Sequence, residues 1–149
     1  MMSTCRVLPV DKERILSKLA ELDGYLHELE EISPKSYKAY KTSIEKKRAC
    51  ERILHISIEC VIDICNMLAS ELKLGLPSTQ EDLFQKLESS HIISNQIVGN
   101  LKKMKSFRNI IVHRYGIVDD ELVYGILKNN LGDFLDFKKE ILEFLKKED

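Results

Sequence analysis

The chain has 149 residues, with 23 Lys and Arg against 24 Asp and Glu, a formal charge of −1 and a sequence pI near 6.4. That length buries a core without covalent or metal staples. The charge balance excludes a surface coated in positive charge that wraps long nucleic acid non-specifically, so any such binding is local. The four cysteines, Cys5, Cys50, Cys60 and Cys65, form no C-x-x-C pair, and no histidine stands at zinc-finger spacing. They read as reduced thiols, with no metal site and no cofactor expected. The opening MMSTCRVLPV lacks the apolar run of a signal peptide, and no stretch is read as approaching the ~20 apolar residues of a membrane span. A soluble cytoplasmic protein with no membrane partner is the expectation.

Helical periodicity runs through the chain, and β-type alternation is nearly absent. Asp11 is a good N-cap for a first helix, whose stripe is Ile15, Leu19, Leu22, Leu26 and Leu29. It stops near Ser33-Pro34, because the residue before proline avoids the helical region. A long second helix is predicted to carry Tyr40, Ile44, Ala49, Ile53, Ile56, Cys60, Ile64 and Leu68, ending near Gly75-Leu76-Pro77. The segment Ser78-Thr79-Gln80-Glu81-Asp82 reads as the capped start of a short helix through Glu88, with Leu83, Phe84 and Leu87 inward. After Ser89-Ser90-His91 a fourth helix carries Ile93, Ile97, Leu101, Met104 and Phe107, and a break follows at Gly116. Asp119-Asp120 caps a last segment with Leu122, Ile126, Phe134, Phe137, Ile141 and Leu145, which Asn129-Asn130-Leu131-Gly132 splits. Tyr124 is expected to pack on the last helix. No repeat or flexible linker appears. The reading is all-α: an antiparallel, up-and-down bundle of four to six helices, one domain over residues 1–149 with its helical core at about 11–147.

The stretch RNIIVHRY, residues 108–115, concentrates the polar chemistry. No Asp or Glu occurs from Ser89 to Val118, whereas Lys102, Lys103, Lys105, Arg108 and Arg114 all fall in that window. This basic island suits a small anionic target such as a phosphate in single-stranded RNA. On an ideal helix Arg108 and Tyr115 lie about 20° apart, while Asn109 and His113 form an i, i+4 pair; the two sets diverge by about 100–160°. Either the helix distorts near its end or a second copy supplies the missing groups across a two-fold axis. Histidine can take or give a proton near neutral pH, and arginine presents a planar fork to phosphate oxygens as charge builds on them. Asparagine can hold the phosphate or orient the imidazole, and tyrosine can donate a hydrogen bond or stack on a base. These groups fit cleavage of an RNA phosphodiester without a metal. The same histidine and arginine near a helix C-terminus also suit the helix dipole with no catalysis at all.

Arg108, four residues, His113, one residue and Tyr115 resemble the R-x4-H-x-Y motif of the HEPN superfamily. The longer phrases FRNIIVHRYGIVDDELVYGIL and KKRACERILHISIECVIDICNMLASEL resemble its HepT-like branch, and the likeness spans about Asp11 to Lys146. It implies an all-α homodimer acting as a metal-independent ribonuclease, the toxin of a toxin–antitoxin module whose antitoxin is a nucleotidyltransferase of the MNT type. By position it makes Arg108 and His113 the catalytic pair and Tyr115 the residue that the antitoxin silences with AMP, with Asn109 in support. Lys102, Lys103, Lys105 and Arg114 are the expected RNA contacts. Some HEPN domains are binding modules only, so a non-catalytic partner of a nucleotidyltransferase is the alternative, and a purely structural dimer a third. On the second helix, Glu59 and Asp63 form an i, i+4 acidic pair beside Arg48, Glu51 and Arg52. They are either a solvated face or ion pair of the bundle, or one acid reaches Arg108 or His113. His55 reads as a plain surface or interface histidine, and His27 and His91 have no assignable partner.

Overall fold

The computed structural model describes residues 10–113 and 119–148. Within them lie seven α-helices and no strand: α1 (Lys12–Ile32), α2 (Tyr37–Thr42), α3 (Ile44–Glu71), α4 (Gln80–Ser89), α5 (Asn95–His113), α6 (Asp120–Asn129) and α7 (Leu131–Lys147). The all-α bundle is as expected, but the helix count is higher. The break predicted at Gly116 lies outside the described residues.

The additional boundary lies at Ser43, inside what periodicity reads as one long second helix. The Ser43 backbone is extended and its hydroxyl accepts the Lys46 backbone N–H, so it is the N-cap of α3 while closing α2. A polar cap at this point outweighs continued periodicity, because it satisfies donors that a helix start leaves bare. The turn also swings Ile44 out of the apolar stripe, leaving it 64% exposed. Tyr40 stays inward, and Tyr124 packs against it and Tyr37, with ring centroids 5.8 and 5.7 Å apart. Tyr124 thus ties α6 to α2 rather than to the last helix.

Other boundaries follow local chemistry. Asp11 accepts the Arg14 N–H at 3.1 Å, Thr79 caps α4, and Asp119 accepts two N–H groups at the start of α6. α3 stops at Glu71, short of Gly75. Lys73 takes a left-handed backbone, φ 55°, and the Leu74 N–H returns to the Ala69 carbonyl, a six-to-one closure that satisfies orphaned carbonyls. α4 ends the same way, with His91 at φ 61° and the Ile92 N–H on the Leu87 carbonyl. His91 therefore has a backbone role that its neighbours in sequence did not suggest.

α3 is the hub, packing on α1, α2, α4 and α5. Leu54, Ile58, Val61, Ile64, Cys65 and Leu68 on it are fully buried, each such aliphatic contributing roughly 1.5–3 kcal/mol of burial. By length and composition alone this 28-residue helix could cross a membrane, which corrects the expectation that no stretch comes close; just over half of its most apolar window, 56%, is buried inside the bundle. It runs antiparallel to α1: Glu71 meets Asp11 and Arg14, and Asp63 meets Lys18. Cys50, Cys60 and Cys65 are buried free thiols. Burial pushes Cys50 and Cys60 up to about 11 and raises Cys65 further, so all three stay protonated near neutral pH.

Replacing Ser43 by Ala removes the α3 cap and should cost about 1 kcal/mol in denaturant unfolding. If residue 43 instead lay inside one continuous helix, alanine would raise stability, because it is the better helix former.

Candidate active site

α5 is amphipathic: Ile97, Leu101 and Met104 are buried, which turns Lys102 and Lys103 outward and brings Arg108 to the flank facing α3. There its guanidinium meets Glu59. Nε and Nη2 both donate to Oε2 of Glu59, at 3.0 and 2.8 Å. The two side chains keep 27% and 35% of their surface exposed, so the pair sits at the mouth of the α3–α5 seam. One edge of the guanidinium is thereby fixed. Its remaining N–H groups, on Nη1 and Nη2, stay available to an anion.

Glu59 is shared. His55, one turn earlier on α3, places Nε2 at 3.5 Å from the same Oε2, and its Nδ1 lies 3.5 Å from Nη1 of Arg52. Arg108, Glu59, His55 and Arg52 thus form one polar chain across two helices. Asp63, the other acid weighed with Glu59, does not join it; it pairs with Lys18 at 3.6 Å on the α1 side and is more exposed.

Lys105 is also committed elsewhere. Its ammonium holds both carboxylate oxygens of Glu81 on α4, at 2.8 and 2.6 Å, and this hydrogen bonding keeps the Glu81 carboxyl below its usual range. That corrects the basic island: the acid-free window in sequence receives acids from α3 and α4 in space. Lys102 and Lys103 remain exposed, and Asn109 is half-buried beside Arg108. His113 is the last residue of α5. Its side chain, and Arg114 and Tyr115 altogether, lie outside the described residues. Among the described residues no group of three or more His, Cys, Asp and Glu is placed to hold a metal ion.

Beside the polar chain is a groove of about 280 Å³ lined by Arg48, Glu51, Arg52, His55 and Ile111. Arg48 donates to Glu51 at 3.0 Å. Glu51 is buried, and burial raises its carboxyl above the ordinary value against the opposing pull of Arg48. Sequence reasoning read His55 as a plain surface or interface histidine and gave Arg52 no role of its own. The available signal was the i, i+4, i+7, i+11 spacing of Arg48, Arg52, His55 and Glu59 on an otherwise apolar helix.

Comparison with known proteins gives a consistent family. The chain is 35% identical over 79 residues to the mRNA nuclease HepT of Shewanella oneidensis, a match spanning 53% of this chain and 59% of that one. It is 25% identical over 131 residues to the tRNA nuclease HepT of Aphanizomenon flos-aquae, covering 88% and 89% of the two chains. In structure it is similar to a tri-AMPylated Shewanella oneidensis HEPN toxin solved in complex with its MNT antitoxin, with a TM-score of 0.78 at 26% identity over 87% of this chain and 96% of that one. The family model described as Ribonuclease HepT-like matches residues 22–141, and the chain belongs to that family.

Proposed function

We propose that this protein is a metal-independent endoribonuclease, the toxin of a HEPN/MNT pair, acting in the cytoplasm as a homodimer with a composite site. The observation that carries the reading is the Arg108–Glu59 pair, with Arg108 five residues ahead of His113 on the same helix, in a chain similar to two nucleases. Glu59 sets the direction of the guanidinium, and the open edge faces the incoming phosphate. Charge grows on the phosphoryl oxygens as the 2′-hydroxyl attacks, and a pre-aimed fork stabilises it without reorganisation. In this reading His113 moves the proton, either from the 2′-hydroxyl or to the departing 5′-oxygen. The products are a 2′,3′-cyclic phosphate and a free 5′-hydroxyl. Asn109 supports the pair, and Lys102, Lys103 and Arg114 attract the strand. Lys105 is reassigned to holding α4.

Incubated with RNA in excess chelator, the wild-type protein should leave 2′,3′-cyclic ends and sediment as a dimer, while His113→Ala, equally folded, loses at least 100-fold in rate, the lower end for a general acid or base. Intact RNA with the wild type, alongside binding to a nucleotidyltransferase, would instead make it a non-catalytic module.

Tyr115 is the acceptor for silencing in the same reading. A nucleotidyltransferase passes AMP from ATP to the phenol and releases pyrophosphate, adding bulk and negative charge where RNA phosphate must sit. The AMPylated state of the Shewanella toxin supports this. With an MNT-type enzyme and ATP, peptide mass spectrometry should find adenylyl groups on Tyr115. Modification confined to other residues removes it from the role.

A further inference from the structure

The geometry points to a phosphate-binding track on α3, centred on Arg52, that seats the single-stranded RNA flanking the cleaved linkage. The inference rests on the ribonuclease reading and extends it to residues outside the family motif. Its first support is register. α5 runs antiparallel to α3, with Arg108 against Glu59 and Ile111 against the groove formed by Arg48, Glu51, Arg52 and His55. α5 ends at His113, two residues and about 3 Å of rise past Ile111, so the groove flanks the last turn of the helix. Arg48, Arg52, His55 and Glu59 are separated by four, three and four residues, which puts them on one face of α3 as a ladder about 16 Å long.

The second support is charge. Four cations around the α3–α5 seam are matched by acids, Arg108 by Glu59, Arg48 by Glu51, Lys105 by Glu81 and Lys47 by Asp120, at 2.8, 3.0, 2.6 and 3.3 Å, while Lys102 and Lys103 stand exposed on the outer side of α5. Arg52 is different. Among the described residues no carboxylate pairs with it, and its contact is the His55 ring nitrogen at 3.5 Å. It is exposed, and it lines a shallow, open groove. An unmatched guanidinium beside the apolar wall of Ile111 suits a sugar–phosphate strand: the fork takes the phosphate and the wall takes the face of the ribose or base. Arg48, one turn further on, lines the same groove with its guanidinium held by Glu51.

The test is binding of a 12-nucleotide, fully 2′-O-methylated RNA, which cannot be cleaved, measured by fluorescence anisotropy across a salt series, together with cleavage of unmodified RNA. Arg52→Gln should weaken binding by about tenfold, the low end for losing a charged hydrogen bond. The slope of log K against log salt should become shallower by about 0.7 for the lost phosphate contact. Arg52→Lys should restore the slope but only part of the affinity, because lysine keeps the charge without the fork. Equal affinity and slope in Arg52→Gln and wild type would overturn the track, whether or not RNA is cut. So would a variant that loses its dimer while binding RNA unchanged, since the guanidinium would then serve a second copy. A wild-type protein that binds the probe through Arg52 but leaves RNA intact would keep the track and remove the ribonuclease reading.

Discussion

The ion pair between Arg108 and Glu59 is the contact around which the candidate site is organised. It joins α5, which carries the motif, to α3, which carries the core, and it does so at the seam mouth rather than in the interior. A guanidinium on an exposed helix would sample many rotamers, and ordering one costs free energy that a weak surface pair barely recovers. Two hydrogen bonds to a single carboxylate oxygen narrow that freedom before any substrate arrives. The partial exposure matters equally: a fully buried pair would be spent on its own desolvation and could not turn to a phosphate.

α3 serves both sides of the molecule. Its apolar face supplies the hub of the core, and the arc left over bears Arg48, Arg52, His55 and Glu59. Those polar groups inherit the rigidity of a helix packed on four others, which gives more precise placement than a loop can. The same division explains why a helix apolar enough to resemble a membrane span is at home in this bundle.

Much of the fold was legible because buried stripes and caps are local. Leu83, Phe84 and Leu87, the Asp11 and Asp119 caps, and the split at Asn130 all follow from short-range pattern. The break at Ser43 was not, because its periodicity continues across the cap and only the hydroxyl's bond to Lys46 ends it. The α3 stop at Lys73 was missed for a related reason: a non-glycine residue occupies the left-handed position that usually advertises itself as glycine, as His91 does after α4, whose end was placed to within a residue. At the site, sequence could pick out Arg108 by motif, and could narrow its partner to Glu59 or Asp63. It could not choose between them, since the choice depends on which neighbour each acid faces: α5 for Glu59, α1 for Asp63. The basic island was over-read because charge along the chain is blind to Glu81, 24 residues before Lys105 yet bonded to it.

The most direct test of the central claim, that Glu59 acts through Arg108, is a double-mutant cycle on the RNA cleavage rate with Glu59→Gln and Arg108→Gln. Glu59→Gln should lower the rate about tenfold in the wild-type background and have almost no effect once Arg108 is gone, a coupling of about 1.4 kcal/mol. The same factor lost in both backgrounds would show that the two side chains act independently, and the proposed pre-aiming of the guanidinium would be wrong.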